Sequence, residues 1–579
     1  MTDIDKAGTA GRSGSAAAII GVLGAGTMGS GIAQLAARSG AKTLLHDPIP
    51  DALERGLARA RDGLEKEAAR GKLSAEDAAA SAERLQTVDS LDAFAPCELV
   101  IEAVPERIDL KHDLYARLSQ VVSAECVLAS NTSSLLVTAI AAAASDPERV
   151  VGMHFFNPAP VMRLLEVVAG EQSGERALEI AHATGEAMGK TVIRAHDGPG
   201  FLVNRCNRPF GLEALRLLQE RIADVETIDR ICRMHGGFRM GPFELMDLVG
   251  VDTGFEISKS FFEQSFGEPR WRPSMIAARY VAAGLHGRKS GRGYYVYPDG
   301  QRTGGTSYRA EDPAPIEEGS VPGAAGLGGA GQVAPQGVVV ISGDGVLADE
   351  LRDAAAHAGY EVRGPHEPSA GTLPSLAIEC EPALARQDGD PPSAPNGRPD
   401  RRGTPATKLG GARLLLCAKG SLGSLDPGGS AVGFHALPPL SEAKLVELTR
   451  NESSSPVAAE RAERFFAALG KHVAWVGDAP GLVLGRIVCQ LINEASFALG
   501  EGVGEARDID LGMVLGLSHP HGPFEWADTI GVDHVMTVLE ALHTEYREER
   551  YRPAPALRKL LAAGRLGRAE GAGFFEYED

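Results

Sequence analysis

The sequence predicts an α/β fold in which a Rossmann-type domain precedes an all-helical domain, the second half of the chain being a degenerate repeat of that pair. Three observations predict it. Short apolar runs alternate with helix-like segments over residues 17–197. A glycine turn separates the first run from the first helix. Matching residues then recur at a constant offset of 281, the difference between Gly481 and Gly200.

The apolar runs are Ile19-Ile20-Gly21-Val22-Leu23, Thr43-Leu44-Leu45, Leu99-Val100-Ile101, Val127-Leu128-Ala129 and Val150-Val151-Gly152-Met153. Such alternation with helical segments describes a parallel sheet wrapped by helices. Two charged helical stretches, residues 51–70 and 74–85, interrupt the winding and are expected to form a lid or clamp. From residue 198 to 297 the pattern changes to helices rich in Leu, Met and Phe, ending at Gly291-Arg292-Gly293-Tyr294-Tyr295-Val296-Tyr297. Residues 301–336 carry almost no large apolar side chain and cannot bury a core, so 298–336 is expected to be a linker. A polar tail (1–15) and an insert rich in Pro, Asp, Gly and Arg (387–411) have the same character.

The repeat keeps register over a long distance. Gly200-Phe201-Leu202-Val203 aligns with Gly481-Leu482-Val483-Leu484, Gly241-Pro242-Phe243-Glu244 with Gly522-Pro523-Phe524-Glu525, and Asp247 with Asp528. It predicts a degenerate Rossmann-like domain over 337–478 and a second helical domain over 479–579. At the same offset His154 falls on His435 and Glu166 on Glu447, but Asn157-Pro158 becomes Pro438-Pro439 and Asn204 becomes Gly485. The second copy is thus degraded where chemistry would sit.

A formal charge of −19 opposes nonspecific binding to nucleic acid or to an anionic membrane. No run of about 18 apolar residues and no signal-like N-terminus occurs, so a cytoplasmic protein is expected. The seven cysteines form no C-x-x-C pair and have no histidine at ligand spacing, so buried free thiols are expected and no metal.

Gly24-Ala25-Gly26-Thr27-Met28-Gly29 follows the first strand and opens the first helix, and Asp47 closes the next strand 23 residues after Gly24. This is the dinucleotide fingerprint in its required setting. Glycines let the backbone approach a pyrophosphate, the helix N-terminus offers N–H donors, and a carboxylate accepts from a ribose hydroxyl. No basic residue follows Asp47 before Arg55, so a 2′-phosphate would meet only negative charge, which favours NAD over NADP. In the second half, Gly343-Asp344-Gly345-Val346-Leu347-Ala348 replaces the third glycine and sets an acid where phosphate would lie, so no dinucleotide is expected there.

His154 ends one apolar strand and Glu166 lies 12 residues later inside another, Leu164-Leu165-Glu166-Val167-Val168. A carboxylate within such a run is costly unless paired. An imidazole braced by a carboxylate can take an alcohol proton near neutral pH. A satisfied core histidine in a structural ion pair would have the same pattern.

Four segments in chain order decide between these: Ser130-Asn131-Thr132-Ser133-Ser134-Leu135, His154-Phe155-Phe156-Asn157-Pro158, Leu165-Glu166-Val167 and Gly200-Phe201-Leu202-Val203-Asn204-Arg205. Together they resemble the 3-hydroxyacyl-CoA dehydrogenase family, closely over 17–297 and again over 479–579. With Glu549-Arg550-Tyr551-Arg552-Pro553, the chain is similar to the fused members that serve phenylacetate degradation in bacteria. The resemblance implies NAD-dependent oxidation of (S)-3-hydroxyacyl-CoA to 3-oxoacyl-CoA, with 3-hydroxyadipyl-CoA or 3-hydroxybutyryl-CoA as the expected substrate. It implies that His154 is the general base and Glu166 its partner, and that Ser133 and Asn204 hydrogen-bond the substrate oxygen. Asn131, Glu106 and Lys111 would lie on the nicotinamide side, although on a helix the last two would otherwise read as a solvated face. Asn157 would fix the loop and thioester region, and Lys66, Arg70 and Lys72 of the clamp would meet CoA phosphates, though a serine some members use for CoA is replaced near Gly63. In relatives the helical domain joins two subunits, so an internal pseudo-dimer of the two helical domains is expected, compatible with a homodimer of whole chains. Arg163 and Arg205 are candidate readers of a distal carboxylate. The alternative is a non-catalytic structural or ligand-binding relative of the same fold. A dehydrogenase of free hydroxy acids, with its lysine base in the helical domain, would lack the run 154–158.

Overall fold

The computed structural model describes residues 15–298, 308–316, 337–365, 374–380 and 412–578. The 387–411 insert, most of the 298–336 linker and all but the last residue of the tail lie outside them. By internal contacts the chain divides into two units, Met1–Arg205 with Glu501–Leu517, and Cys206–Gly500 with Ser518–Asp579.

The first unit is built on β1 (Ile19–Leu23), α1 (Thr27–Arg38), β2 (Lys42–His46), α2 (Pro50–Ala69), α3 (Ala75–Arg84), β3 (Leu85–Thr87), β4 (Leu99–Glu102), α4 (Ile108–Val121), β5 (Val127–Ser130), α5 (Val137–Ala141), β6 (Val150–Phe155), β7 (Leu164–Ala169), α6 (Glu175–Ala187), β8 (Thr191–His196) and the short α7 (Val203–Cys206). Its eight strands lie in the order β3-β2-β1-β4-β5-β6-β7-β8. The apolar runs are buried on both faces, as strands covered by helices must be. The wholly parallel sheet expected from the alternation is corrected here: β7 runs antiparallel to β6, and β8 runs parallel to β7. The segment 156–163 between β6 and β7 is shorter than the dozen or so residues of a parallel crossover, so the chain turns back as a hairpin.

The clamp helices form where their composition requires. Pro50 starts α2, Leu53, Gly56, Ala60 and Leu64 give it one buried stripe, and the Ser74 side chain caps α3 by accepting from the Asp77 N–H at 2.9 Å. They are tied along α1, with Glu67 accepting from Gln34 and Arg38, and Arg84 donating to the Ala37 carbonyl. Gly63 faces Gln34 across this contact.

In the second unit come α8 (Arg208–Gln219), α9 (Val225–Met234), α10 (Pro242–Val249), α11 (Val251–Gln264) and α12 (Met275–Ala282), then β9 (Val338–Ser342), α13 (Val346–His357), β10 (Glu361–Arg363), β11 (Leu376–Glu379), β12 (Ala412–Leu416), α14 (Leu422–Leu425), β13 (Val432–His435), β14 (Leu445–Thr449), α15 (Pro456–Ala468), β15 (His472–Val476) and α16 (Leu484–Gly500). After α17 (Ala506–Leu517), which belongs to the first unit, follow α18 (Pro523–Ile530), α19 (Val532–Tyr546) and α20 (Pro555–Ala562). The seven-stranded sheet, β10-β9-β11-β12-β13-β14-β15, repeats the first one down to the antiparallel β13–β14 hairpin. Only residues 364–375 separate β10 from β11, where the first copy carries α2, α3 and β3.

Helix α16 is buried from Leu484 to Ala498 and packs against α8, α18, α19 and α20, so within this unit the two helical copies share one core. Asp247 accepts from the Tyr294 and Tyr295 N–H groups and the Tyr297 hydroxyl, and Asp528 does the same with Phe574, Phe575 and Tyr577. One stretch of the expected linker is anchored. Tyr308 donates to Glu244, Arg309 pairs with it, and Asp312 pairs with Arg233. It lacks a core, and holds on through charge and one aromatic ring. All seven cysteines are free and buried.

Candidate active site

The glycine turn leaves β1 and enters α1. Gly24 has φ +90°, and a Cβ at Gly29 would fall 1.8 Å from the Gly24 carbonyl oxygen, so this turn closes only without side chains there. Gly26 faces open space and, with Thr27, is exposed, while Met28 is half-buried. The first N–H groups of α1 have no carbonyl one turn back and so form an anion cradle at an open edge. Asp47 braces the turn: its Oδ2 accepts from the Ala25 N–H at 2.8 Å and its Oδ1 from the Ile49 N–H at 3.0 Å. This cradle and carboxylate fit a dinucleotide. Arg59, which sequence reasoning missed, donates from α2 to the Ala25 carbonyl and to Ser30 Oγ. Its only signal was a charge flanking the buried stripe at Ala60.

β1 and β4 are neighbours from which the winding departs in opposite directions, the place where such sheets bind ligands at their C-terminal ends. The loop after β4 supplies Glu106, whose carboxylate accepts from Thr132 Oγ1 and the Ser133 N–H, both at 2.7 Å, and lies 3.1 Å from the Lys111 ammonium. Burial acts to raise its pKa, but Lys111 and these donors outweigh that and hold it below the usual carboxylate range. The solvated-face reading of Lys111 is corrected here, while Glu106 is exposed yet engaged by these donors. Glu106 precedes α4, and Lys111, only 1% exposed, reaches inward to both Glu102 oxygens at 2.8 Å. Ser133 is exposed beside Glu106, and Asn131 accepts from the Phe155 N–H at 2.9 Å, tying the end of β5 to the residue after His154.

His154, near the end of β6, is paired in register with Glu166 on β7, and the hairpin sets their side chains face to face. Nδ1 lies 2.6 Å from Glu166 Oε2, with His154 6% exposed and Glu166 fully buried. Glu166 Oε1 accepts from the N–H groups of Leu202 (3.2 Å) and Val203 (3.0 Å), presented by a turn in which Phe201 has φ 52°. The buried carboxylate is therefore satisfied at both oxygens. The Phe156 and Phe201 rings flank the imidazole at 4.7 and 5.7 Å between centroids. With Nδ1 engaged, Nε2 is the nitrogen left for chemistry. Asn204 follows in the first turn of α7, half-buried, and Asn157 is exposed just after Phe156.

Lys66, Arg70 and Lys72 are exposed at the far end of α2, Arg70 about 16 Å beyond Arg59 along the helix axis. The structure does not gather them with the glycine turn. Arg205 is buried, with its guanidinium 2.7 Å from Glu501, which removes it as a free reader of a distal carboxylate; Arg163 is exposed just before β7.

The second copy keeps the strand register of His435 with Glu447 but not the pair. His435 Nε2 lies 3.3 Å from His534 Nε2, and its Nδ1 has no hydrogen-bond partner. A Cβ at Gly485 would fall 2.3 Å from His435 Cε1, so the ring occupies space that a side chain in Asn204's equivalent position would fill. Burial, with His534 and His235 nearby, pushes the His435 pKa well down. Burial also pushes Glu447 up to about 8, against the N–H groups of Leu484 and Val483. At the second glycine turn, Arg352 donates to the Gly343 carbonyl.

Comparison with known proteins agrees with this geometry. The 3-hydroxyacyl-CoA dehydrogenase NAD-binding domain matches residues 19–198, and the C-terminal domain of that family matches 200–297 and again 481–577. The chain is 34% identical over 547 residues to the 3-hydroxyadipyl-CoA dehydrogenase of Escherichia coli (strain K12), covering 94% of this chain and 98% of that one. It is 42% identical over 278 residues to a probable 3-hydroxybutyryl-CoA dehydrogenase of Deinococcus radiodurans, covering 48% and 99%. The crystal structure of a 3-hydroxybutyryl-CoA dehydrogenase from Escherichia coli K12 is similar with a TM-score of 0.74 at 32% identity, covering 95% and 99%.

Proposed function

The chain belongs to the 3-hydroxyacyl-CoA dehydrogenase family, and on that premise we propose that its first half performs the NAD-dependent oxidation of (S)-3-hydroxyacyl-CoA to 3-oxoacyl-CoA with His154 as general base. The observation that carries this reading is the 2.6 Å contact of a buried imidazole with a buried carboxylate. Glu166 holds the proton on Nδ1, which leaves the Nε2 lone pair to remove the substrate hydroxyl proton, and its charge stabilises the imidazolium that forms. The bound nicotinamide supplies the acceptor for the hydride from C3. Ser133 and Asn204 hydrogen-bond the substrate oxygen as it becomes a carbonyl. Phe156 and Phe201 shield the imidazole from water and fix its plane.

Gly24, Gly26, Thr27, Met28, Gly29 and Asp47 are the residues that would hold the dinucleotide, with Glu106 and Asn131 on its nicotinamide side and Arg59 steadying the turn. Lys111 acts through Glu106 rather than by direct contact. Asn157 orders the loop after the base, and Lys66 and Arg70 serve the CoA phosphates. The second half is a non-catalytic copy whose helical domain pairs internally with the first. Domain limits of 17–197, 198–297, 337–478 and 479–579, with a linker at 298–336, follow from the same reading. A non-catalytic role for the whole chain is disfavoured by the contrast between the copies, one with the pair intact and one without.

Among the described residues no helix is long and apolar enough to cross a membrane, and we place the enzyme in the cytoplasm, in the catabolism of acyl-CoA or aromatic-acid fragments such as those of phenylacetate. Its relatives are named for a dicarboxylic and for a short monocarboxylic substrate. Rates with acetoacetyl-CoA against a dicarboxylic 3-oxoacyl-CoA separate the two, and Arg163→Ala should weaken only the dicarboxylic substrate if Arg163 reads its far end.

The central test is His154→Ala. NADH binding should persist while turnover falls by about 10²–10⁴-fold, the usual contribution of a positioned base; turnover near the wild-type rate would reject the assignment.

A further inference from the structure

We propose that glycines of the second repeat, Gly516 above all, are positioning residues for the His154–Glu166 pair of the first. The inference rests on the reading of that pair as base and partner, and it assigns part of the second half a role in holding it. Helix α17 lies within the first unit, against β7 and β8. It is pinned at its start, where Asp508 accepts from the Arg194 N–H at 3.0 Å and the Val503 carbonyl accepts from the His196 N–H at 2.7 Å.

The face it presents has no room for a methyl group. A Cβ at Gly516 would lie 2.8 Å from Leu164 Cδ2 and 3.3 Å from both Phe156 Cε1 and Val203 Cγ1. At Gly512 it would lie 2.7 Å from Val203 Cγ2 and 3.2 Å from Leu202 Cδ2, and at Gly504, in the turn before the helix, 2.1 Å from Leu202 Cδ1. These are the residues that hold the pair. Leu202 and Val203 present the N–H groups that Glu166 accepts, Leu164 precedes Glu166 by two residues on β7, and Phe156 packs on the imidazole.

The repeat provides an internal control. At the offset of 281, Gly504, Gly512 and Gly516 correspond to Ala223, Ile231 and His235 of the first helical domain. There α9 packs against β14, and His235 Nε2 accepts from the N–H of Leu437, the counterpart of Phe156. The copy that has lost its pair thus carries Ile231 and His235 where the copy that keeps it carries Gly512 and Gly516. Glycine within a helix is unfavourable, and a habit of the helical domain would appear in both copies.

In the full-length enzyme, Gly516→Val should lower kcat about 100-fold with NADH affinity unchanged and KM little altered, because a displacement of about 1 Å at the reacting groups has an effect of that size. The acid limb of the kcat–pH profile should move, since a displaced Glu166 holds the imidazolium less well. Gly516→Ala should lower kcat about 10-fold, and adding Leu164→Val, which removes the atom in conflict, should restore most of it. Should Gly516→Val fail to fold, as judged by thermal melting, the alanine pair carries the same test. A folded Gly516→Val with wild-type kcat and pH profile would overturn the inference, as would a loss that follows stability alone, with no shift in pH profile and no rescue by Leu164→Val. Near wild-type turnover in His154→Ala would instead remove the catalytic reading of the pair, whatever the glycine variants do.

Discussion

His154 and His435 occupy the same position in the same hairpin, yet one imidazole meets its glutamate and the other turns to His534. The residue that differs most directly beneath the ring is Gly485, where the first copy has Asn204. His435→Ala should therefore leave the rate of 3-hydroxyacyl-CoA oxidation unchanged in steady-state assays. Glu447 makes a sharper prediction. Its folded pKa of about 8 lies above the ordinary 4.5, so the folded state holds a proton that the unfolded state has released through that window. Stability from this group is complete below about pH 4.5 and is lost as pH rises through 8, by at most on the order of 5 kcal/mol. Glu447→Gln should flatten this part of the stability–pH curve in urea unfolding between about pH 5 and pH 9.

Two elements carry the chemistry, the glycine turn and the β6–β7 hairpin. In the turn, Gly29→Ala would drive a methyl into the Gly24 carbonyl at 1.8 Å. The turn must open to accept it, at a cost of about 1–3 kcal/mol, and NADH titration should show at least about a tenfold loss of affinity. In the hairpin, a 12-residue separation between His154 and Glu166 suffices because antiparallel neighbours stand directly opposite. That pairing was legible from two apolar runs with one polar residue in each. The reversal of β7 was legible only from the shortness of segment 156–163, which the alternation of runs does not report.

Across the whole molecule the duplication produces reciprocal pairs. In the first unit Arg205 meets Glu501, and in the second Arg486 meets Glu220; each partner is the other's image at the offset of 281. Arg486 is fully buried among Glu213, Glu220, Tyr546 and Tyr551, and all of them bond to it. Arg486→Met removes the fully buried positive charge from this acidic cluster and leaves Glu220 only its contact with Arg216, so the full chain should lose about 3–5 kcal/mol, read as a lower denaturation midpoint at unchanged NADH affinity.

By itself the sequence determined six of the eight strands of the first sheet, the glycine turn with Asp47, the 281-residue repeat and the candidate pair at 154 and 166, because each is written in periods and spacings that neighbouring residues impose on one another. Tertiary structure decided the rest: that Lys111 points inward to Glu102, that Arg59 steadies the turn, that Arg205 is already engaged, and that a helix beginning at Ala506 packs against β7 and β8. These depend on groups far apart along the chain that meet only when the sheet is assembled. Burial, which sets the charge state of Glu447 and the neutrality of His435, likewise exists only once the layers close.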